Sequence, residues 1–192
     1  TTRRSTSPVT SSRFGAIARQ HRAVLVNLNA MGTTIFGTNA ALKTFLTIGG
    51  VNIQLLNKDT PAHANPLAGF VDDGAHPHTT VQGAFANVIL AALNTGWHAG
   101  YPLFTDREIV EQAGLAYAGA DTLDAQIGGY SQFITDYICH ADTDGSGVLT
   151  PQDIFSYLSG YFAGLPSADF NNDGQRTPSD IFAFLNAYFT GC

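Results

Sequence analysis

The sequence predicts a helix-dominated, mixed α/β protein in two parts, preceded by an extended tail over residues 1–14. Three observations support this. Hydrophobic residues make up 44% of the chain and charged residues 12%, which is enough for a packed core. Runs of strand and helix periodicity alternate over residues 15–135. Residues 136–192 contain an internal repeat with helical patterning, so we expect an α/β unit followed by an all-α module.

The first half of the α/β unit combines apolar runs with glycine stops. Gly49 and Gly50 follow a helical pattern that begins near Thr38, so they are read as its end. Together these signals predict a short helix ending near residue 22, a buried strand over 23–31, a helix over 38–49, a strand over 51–56 and a loop over 57–80.

Three helices are predicted in the second half, over residues 79–96, 105–114 and 121–140. The second begins with Thr105 and has Glu108 three residues later, the pattern of a capping box. The third has a weak point at its glycine pair, residues 128–129.

Charge and hydropathy exclude two classes of partner. The net charge is −6, so we expect no nucleic acid partner. No apolar run reaches the about 18 residues that a membrane span requires. The sequence starts at Thr1 with neither an initiator methionine nor a signal peptide, which we interpret as a mature or cleaved chain.

Residues 141–164 recur as residues 168–191, displaced by 27 residues, with 12 identical positions. Each copy carries oxygen ligands at the spacing of a calcium-binding loop. We define loop one as residues 142–153 and loop two as residues 169–180. The alternative is a pair of acidic turns between helices. The predicted ligands are Asp142, Asp144, Ser146, Val148 and Asp153 in loop one, and Asp169, Asn171, Asp173, Gln175 and Asp180 in loop two.

Ca²⁺ prefers six to eight oxygen ligands, and a glycine at the sixth loop position permits the sharp turn between them. Gly147 and Gly174 occupy that position. Thr150 and Thr177 can cap the helices that follow, each with a proline in the first helical position. The sequence therefore predicts two Ca²⁺ ions, each bound by a loop that leads directly into a helix.

The repeat resembles the duplicated calcium module of dockerins, and more closely the dockerin-type anchor domains of planctomycete-like secreted proteins that end in Gly-Cys. The resemblance covers about residues 136–192 and implies an all-α, duplicated EF-hand-like module that is extracellular and anchors or assembles. It also implies a Cys139–Cys192 disulfide. The placement of the two cysteines around the repeat independently favours a disulfide, and hence an oxidising compartment, over two unpaired thiols.

The segment "GFVDDGAHPHTTVQGAFANVILAAL" is similar to the last conserved block of SGNH (GDSL-type) esterases. This resemblance implies that Asp73 orients His76 as the general base of a catalytic triad. It also implies that residues of about 14–95 form the C-terminal strands of a partial flavodoxin-like α/β unit. The family's Gly-Asp-Ser nucleophile block does not occur in the sequence, so no catalytic residue is expected to act.

Three explanations remain for this segment: the C-terminal piece of a processed esterase, half a hydrolase fold kept as a structural element, or an accidental similarity of a polar loop. A metal cluster of His63, His76 and His78 is a further, weaker alternative, since no Cys or Glu spacing supports it.

The function that the sequence favours is that of a secreted or cell-surface structural protein that acts through protein–protein contacts. A truncated sheet would leave an edge uncovered, and the tail is long enough to lie on a neighbouring copy. We therefore expect head-to-tail self-association into a filament. A cell-surface anchor is a possible further partner, and a secreted SGNH-type ester hydrolase with a dockerin-type anchor is the alternative function.

Overall fold

A computed structural model describes residues 17–18, 22–38, 40–61 and 63–191. This part of the chain is mixed α/β, with six α-helices and three small sheets, 44% helix and 15% strand. It divides into two compact units. The sheet unit comprises residues 25–95 and 100–135, and the loop unit comprises the described residues up to Val24, residues 96–99 and the chain from Asp136 onward.

The largest sheet shows that the predicted flavodoxin-like arrangement is wrong. It contains β4 (Phe45–Ile48), β5 (Val51–Lys58) and β6 (Ala68–Phe70). β4 is antiparallel to β5, and β5 is parallel to β6. A doubly wound sheet requires parallel strands joined by helices. Here β4 and β5 form a hairpin, and the described residues between β5 and β6 contain no helix.

Gly49 and Gly50 form the turn of this hairpin and do not end a helix. Their φ angles are 57° and 78°. A two-residue turn with positive φ at both positions matches the twist of an antiparallel strand pair, and glycine adopts it without steric cost. The predicted helix over 38–49 is therefore wrong: the segment forms β3 (Ala41–Leu42) and β4, which buries Leu46 and Ile48 on one face.

The predicted strand over 23–31 is correct only at its start. β1 (Val24–Val26) pairs with β7 (Ile134–Asp136). Asn27 then begins helix α1 (Leu28–Phe36), since its side-chain oxygen accepts a hydrogen bond from the backbone N–H of Ala30 at 2.9 Å. β2 (Gly37–Thr38) follows and pairs antiparallel with β3.

Two of the three predicted helices are confirmed. They are α2 (Thr79–Trp97) and α3 (Asp106–Gln112), the latter with the expected capping box. The third is mostly wrong. α4 (Leu123–Ile127) ends where Gly128 takes up the left-handed conformation, and a 3₁₀ turn (Tyr130–Phe133) and β7 follow.

The loop unit contains α5 (Pro151–Ala163), a 3₁₀ turn (Pro166–Ala168) and α6 (Pro178–Thr190). The predicted all-α, duplicated EF-hand-like module is wrong, because an EF-hand needs a helix on both sides of each loop. Strand β7 precedes loop one and the 3₁₀ turn precedes loop two. The repeat unit is therefore a loop followed by one helix.

Each unit has its own hydrophobic core. In the sheet unit the core joins α1, the β4–β5 hairpin, α2, α3 and α4. In the loop unit the core is small and aromatic. Tyr157 of α5 stacks on Phe184 of α6 with ring centroids 4.1 Å apart, and Phe170 meets both rings edge-on. This contact joins the two repeats through equivalent faces of their helices.

Candidate metal sites

The two loops have the same backbone conformation. In loop one, Oδ1 of Asp142 accepts a hydrogen bond from the N–H of Ser146 at 3.0 Å, and Oδ2 accepts one from the N–H of Gly147 at 2.8 Å. In loop two, Asp169 accepts the equivalent bonds from the N–H of Asp173 at 3.1 Å and from the N–H of Gly174 at 2.8 Å. The first predicted ligand of each loop therefore also shapes the turn around it.

The last predicted ligand of each loop is a buried aspartate at the start of the following helix. Asp153 is fully buried and accepts hydrogen bonds from the N–H groups of Thr143 and Thr150, both at 2.8 Å. Asp180 is equally buried and accepts from Thr177 at 2.7 Å and from Asn171 at 3.2 Å. These bonds join the start of each loop to the start of its helix.

Both of these carboxylates are held in the charged form. Burial acts to raise the pKa of Asp153 and of Asp180, but hydrogen bonds from backbone N–H groups outweigh burial, so both pKa values are lowered. Each loop therefore has a fixed, buried negative charge at its C-terminal end, where a cation would find an ionised partner.

Three carboxylates converge in loop one. One oxygen each of Asp142, Asp144 and Asp153 lies within 4.8 Å of the others, the only such cluster of His, Cys, Asp or Glu in the described part of the chain. Carboxylates this close repel one another unless a cation lies between them. Their oxygens suit a hard divalent ion such as Ca²⁺, but the cluster alone does not distinguish Ca²⁺ from other hard ions.

Loop two replaces one of these carboxylates with an amide. Asn171 stands where loop one has Asp144, and its Nδ2 donates to Oδ2 of Asp173 at 3.2 Å. The guanidinium of the nearby Arg176 lies 5.9 Å from the ring centroid of Tyr161. Among the described residues, no Lys or Arg pairs with a carboxylate of loop two.

The remaining predicted ligands lie within the same loops. Oγ of Ser146 donates to the carbonyl of Val148 at 3.0 Å, so both predicted oxygens face each other in loop one. The N–H of Gln175 donates to Oδ1 of Asp173 at 2.8 Å in loop two. Each of these bonds lies within its own loop, and whether the two sets bind a metal stays a prediction.

Arg22 is the residue that sequence reasoning missed. Its guanidinium donates to Oδ2 of Asp142 and, at 2.8 Å, to the carbonyl of Gly147. The side chain of Asp142 is only 4% exposed in this pair. A basic residue 120 positions upstream gives no spacing signal, so this contact depends on tertiary structure.

Cys139 is buried and disulfide-bonded. Cys192 lies outside the described residues, so the Cys139–Cys192 pairing stays a prediction.

The predicted Asp–His pair also forms, in the sheet unit. Nδ1 of His76 contacts Oδ2 of Asp73, whose other oxygen accepts from the N–H groups of Ala75 at 2.8 Å and His76 at 3.0 Å. Bonds from the backbone N–H groups of His76 and Ala75 lower the pKa of Asp73, and the bond to Asp73 raises the pKa of His76. Among the described residues, no hydroxyl or thiol is hydrogen bonded to Nε2 of His76.

His63 and His78 do not join His76 in a cluster. Both face Asp59, at 3.7 and 3.3 Å, whereas His76 pairs with Asp73. Burial acts to raise the pKa of Asp59, but hydrogen bonds from backbone N–H groups and from His78 outweigh it and lower the pKa. The three histidines therefore contact two different carboxylates, those of Asp59 and Asp73.

No family model, no curated protein and no solved structure matches the chain. The resemblances to dockerins and to SGNH hydrolases stay predictions. No helix within the described ranges is both long enough and apolar enough to cross a membrane.

Proposed function

We propose that the protein is a secreted or cell-surface structural protein whose loop unit is stabilised by two bound Ca²⁺ ions. The observation that carries the proposal is the recurrence of one loop conformation, with its buried aspartate, at both predicted sites. A single acidic turn is common, but two turns with equivalent hydrogen bonds and oxygen ligands are what a pair of hard-cation sites requires.

Calcium would stabilise the loop unit by binding only its folded form. The aromatic core of this unit is small, and its loops hold six carboxylates (Asp142, Asp144, Asp153, Asp169, Asp173 and Asp180). Ion concentrations about 100 times the dissociation constant contribute about 2.7 kcal/mol per site. We expect a melting transition at least about 10 °C higher in excess Ca²⁺ than in EDTA.

Calorimetric titration of Ca²⁺ into the full chain tests the sites individually. We expect two ions per chain, one ion after Asp142→Asn or Asp169→Asn, and none after both. Asp72→Asn is the matched control, because Asp72 lies in the sheet unit outside both loops. Identical melting curves in EDTA and in excess Ca²⁺ would refute the proposal.

An extracellular location is supported by the disulfide at Cys139, since such bonds persist in oxidising compartments. Intact-mass measurement with and without a reductant, after alkylation, tests the pairing. We expect both thiols to be blocked in the native chain. Alkylation of Cys192 without reductant would contradict the Cys139–Cys192 bridge.

Self-association is the further part of this proposal, and it is supported by exposed aromatic residues on both repeats. Phe155 and Phe162 on α5 are 64% and 79% exposed, and their equivalents Phe182 and Phe189 on α6 are 71% and 76% exposed. Exposed apolar surface can mark a contact region, and these four side chains are exposed at equivalent positions of the two repeats. The N-terminal tail that was expected to reach a neighbouring copy lies outside the described residues.

Sedimentation and electron microscopy in Ca²⁺ test assembly. We expect the intact chain to form extended polymers, and Phe162→Ser with Phe189→Ser to shift it toward monomers. A chain lacking residues 1–14 tests the tail separately. If the intact chain is monomeric at high micromolar concentration, the self-association proposal is refuted, whereas the proposal of Ca²⁺ binding is unaffected.

A second candidate function is favoured by the Asp73–His76 pair, which has the orienter–base contact of a hydrolase triad. In this alternative the chain is the C-terminal part of a secreted SGNH-type ester hydrolase. We expect no hydrolysis of a chromogenic acetate ester above background, because no nucleophile is apparent. Turnover that is lost in His76→Ala would favour the hydrolase instead.

A further inference from the structure

A cavity of about 440 Å³ lies within the loop unit. Trp97, Tyr157 and Phe170 contribute to its aromatic wall, and His98 and His140 contribute its imidazoles. The two imidazole rings lie edge to face, with centroids 5.1 Å apart and an angle of 61° between their planes. Cavities of this volume are large enough to admit an ion with its water ligands.

The hydrogen bonds of the two rings fix which nitrogen carries the proton. Nε2 of His140 lies 2.6 Å from Oδ2 of Asp136, and Nδ1 of His98 lies 3.2 Å from the carbonyl oxygen of Asp169. A carboxylate and a carbonyl can only accept, so these nitrogens donate. In the neutral rings, Nδ1 of His140 and Nε2 of His98 then carry lone pairs. Neither has a hydrogen-bond partner among the described residues.

This is the arrangement that metal-binding histidines adopt. Their second N–H is donated to a carboxylate or a backbone carbonyl, which sets the tautomer and orients the ring. Imidazole nitrogens bind Zn²⁺ at about 2.1 Å, so two rings on one tetrahedral ion have centroids about 5 Å apart. The observed centroid separation of 5.1 Å matches this value.

The backbone of His98 adopts an uncommon conformation, which it shares with three other non-glycine residues of the described part of the chain, Arg22, His63 and Asn172. Its φ angle is 50°, in the left-handed region that a β-carbon disfavours. Such a conformation persists only where the surrounding structure holds it, and it occurs often at functional sites. His98 lies beside His140, although the two are 42 positions apart in the sequence.

We propose that His98 and His140 form a third cation site, for a borderline transition ion such as Zn²⁺ or Ni²⁺. Imidazole suits these ions, whereas Ca²⁺ takes oxygen ligands. Water or an external ligand in the cavity would complete the coordination shell. Asp136 acts as a positioning residue, since it contacts the ring of His140. The proposed ligands of this site, His98 and His140, are not among the predicted ligands of either loop.

The test uses the full chain without a histidine tag, in millimolar Ca²⁺ so that oxygen sites are occupied by a hard ion. We expect calorimetry to show one bound Ni²⁺ per chain. His98→Gln and His140→Gln should each weaken binding at least ten-fold, and the double variant should abolish it. His63→Gln is the matched control, because its imidazole lies in the sheet unit and is exposed. It should bind like the wild type.

Asp136→Asn distinguishes positioning from direct binding. It should keep the stoichiometry and weaken the affinity by about ten-fold, the usual cost of losing such a partner.

An NMR measurement on the wild-type chain tests the same site without any risk that a variant fails to fold. Substoichiometric Ni²⁺ should broaden the NMR ring signals of His98 and His140 before those of His63, His76 and His78. Broadening that starts elsewhere, wild-type affinity in the double variant, or no Ni²⁺ binding would each overturn the proposal.

Discussion

Loop one and loop two have the same conformation but different electrostatic surroundings. In loop one, three carboxylates converge and the guanidinium of Arg22 contacts the first of them. In loop two, Asn171 replaces Asp144 and Asp173 replaces Ser146, so three carboxylates remain, and the guanidinium of Arg176 lies 5.9 Å from the ring centroid of Tyr161. The hydrogen bonds that shape a loop are thus duplicated, whereas the charges around it differ through substitutions within the repeat and through Arg22, which lies outside the repeat.

This difference predicts the order of filling. A divalent ion that enters loop one must compete with a guanidinium already bonded to Asp142, whereas loop two has no such competitor within the described part of the chain. Charge-assisted bonds of this kind are among the stronger polar contacts in proteins. Both loops contain three carboxylates, so we expect the competing guanidinium to decide the order, with loop two binding Ca²⁺ first.

The largest expected effect on stability comes from removing the buried aspartate that each loop has at its last position. Asp153→Ala or Asp180→Ala leaves buried N–H groups without an acceptor, at about 1–3 kcal/mol for each group. We expect each variant to lower the free energy of unfolding by about 3 kcal/mol in EDTA, as measured by urea denaturation.

Because the two aspartates have equivalent bonds, the two losses should agree within about 1 kcal/mol. Asp72→Ala serves as the control and should change little. If only one of the two variants is destabilised, the loops are not structurally equivalent.

The next largest effect should change the Ca²⁺ affinity of loop one but not that of loop two. Arg22→Gln removes the competing charge from loop one and should raise its Ca²⁺ affinity about five- to ten-fold while leaving loop two unchanged. Calorimetry with both sites resolved would show the two affinities approaching each other.

Arg107→Gln is the matched control, since that guanidinium pairs with Glu111 at 3.1 Å on the surface of the sheet unit. Weaker binding in Arg22→Gln would mean that Arg22 supports the shape of the loop more than it competes for its charge.

A smaller effect on Ca²⁺ affinity is expected when the third positions of the two loops, Asp144 and Asn171, are given the same residue. Asn171→Asp adds a fourth carboxylate to loop two, beside Asp169, Asp173 and Asp180, so its Ca²⁺ affinity should rise about three-fold. In EDTA the same change adds repulsion and should lower the melting temperature slightly. Asp144→Asn is the reciprocal variant, and an increase in the affinity of loop one on that change would contradict this explanation.

The loops also show what sequence can predict. Ligand positions, the turn glycines and the proline-started helices are encoded within 12 consecutive residues, so their spacing alone located both loops. Arg22 could not be found this way, because its contact spans 120 positions. The helix prediction over 38–49 failed because Gly49 and Gly50 suit a hairpin turn as well as a helix end, and only pairing with β5 decides between them.

The flavodoxin-like expectation failed for a related reason. It came from resemblance to a family and not from strand pairing, which is non-local and leaves little trace in one sequence. Asp73 and His76 were correctly placed together because they are three residues apart. The His98–His140 pair was missed because the two residues are 42 positions apart, so no local spacing indicates their contact.

The smallest expected effect concerns the pKa of His76, which lies outside both loops. Its titration serves as a reference that Ca²⁺ binding to the loops should not change. The bond to Asp73 raises the pKa of His76 above its ordinary 6.5. A raised pKa in the folded state contributes stability below pH 6.5, and this contribution is lost as the pH rises through the higher folded value. NMR titration should therefore give a pKa above 6.5 that returns toward 6.5 in Asp73→Asn. Because the pair is exposed on the sheet unit, Ca²⁺ should leave this titration unchanged. A Ca²⁺-dependent shift would show that cation binding extends beyond the loops, and a pKa at or below 6.5 would show that the pair does not persist in solution.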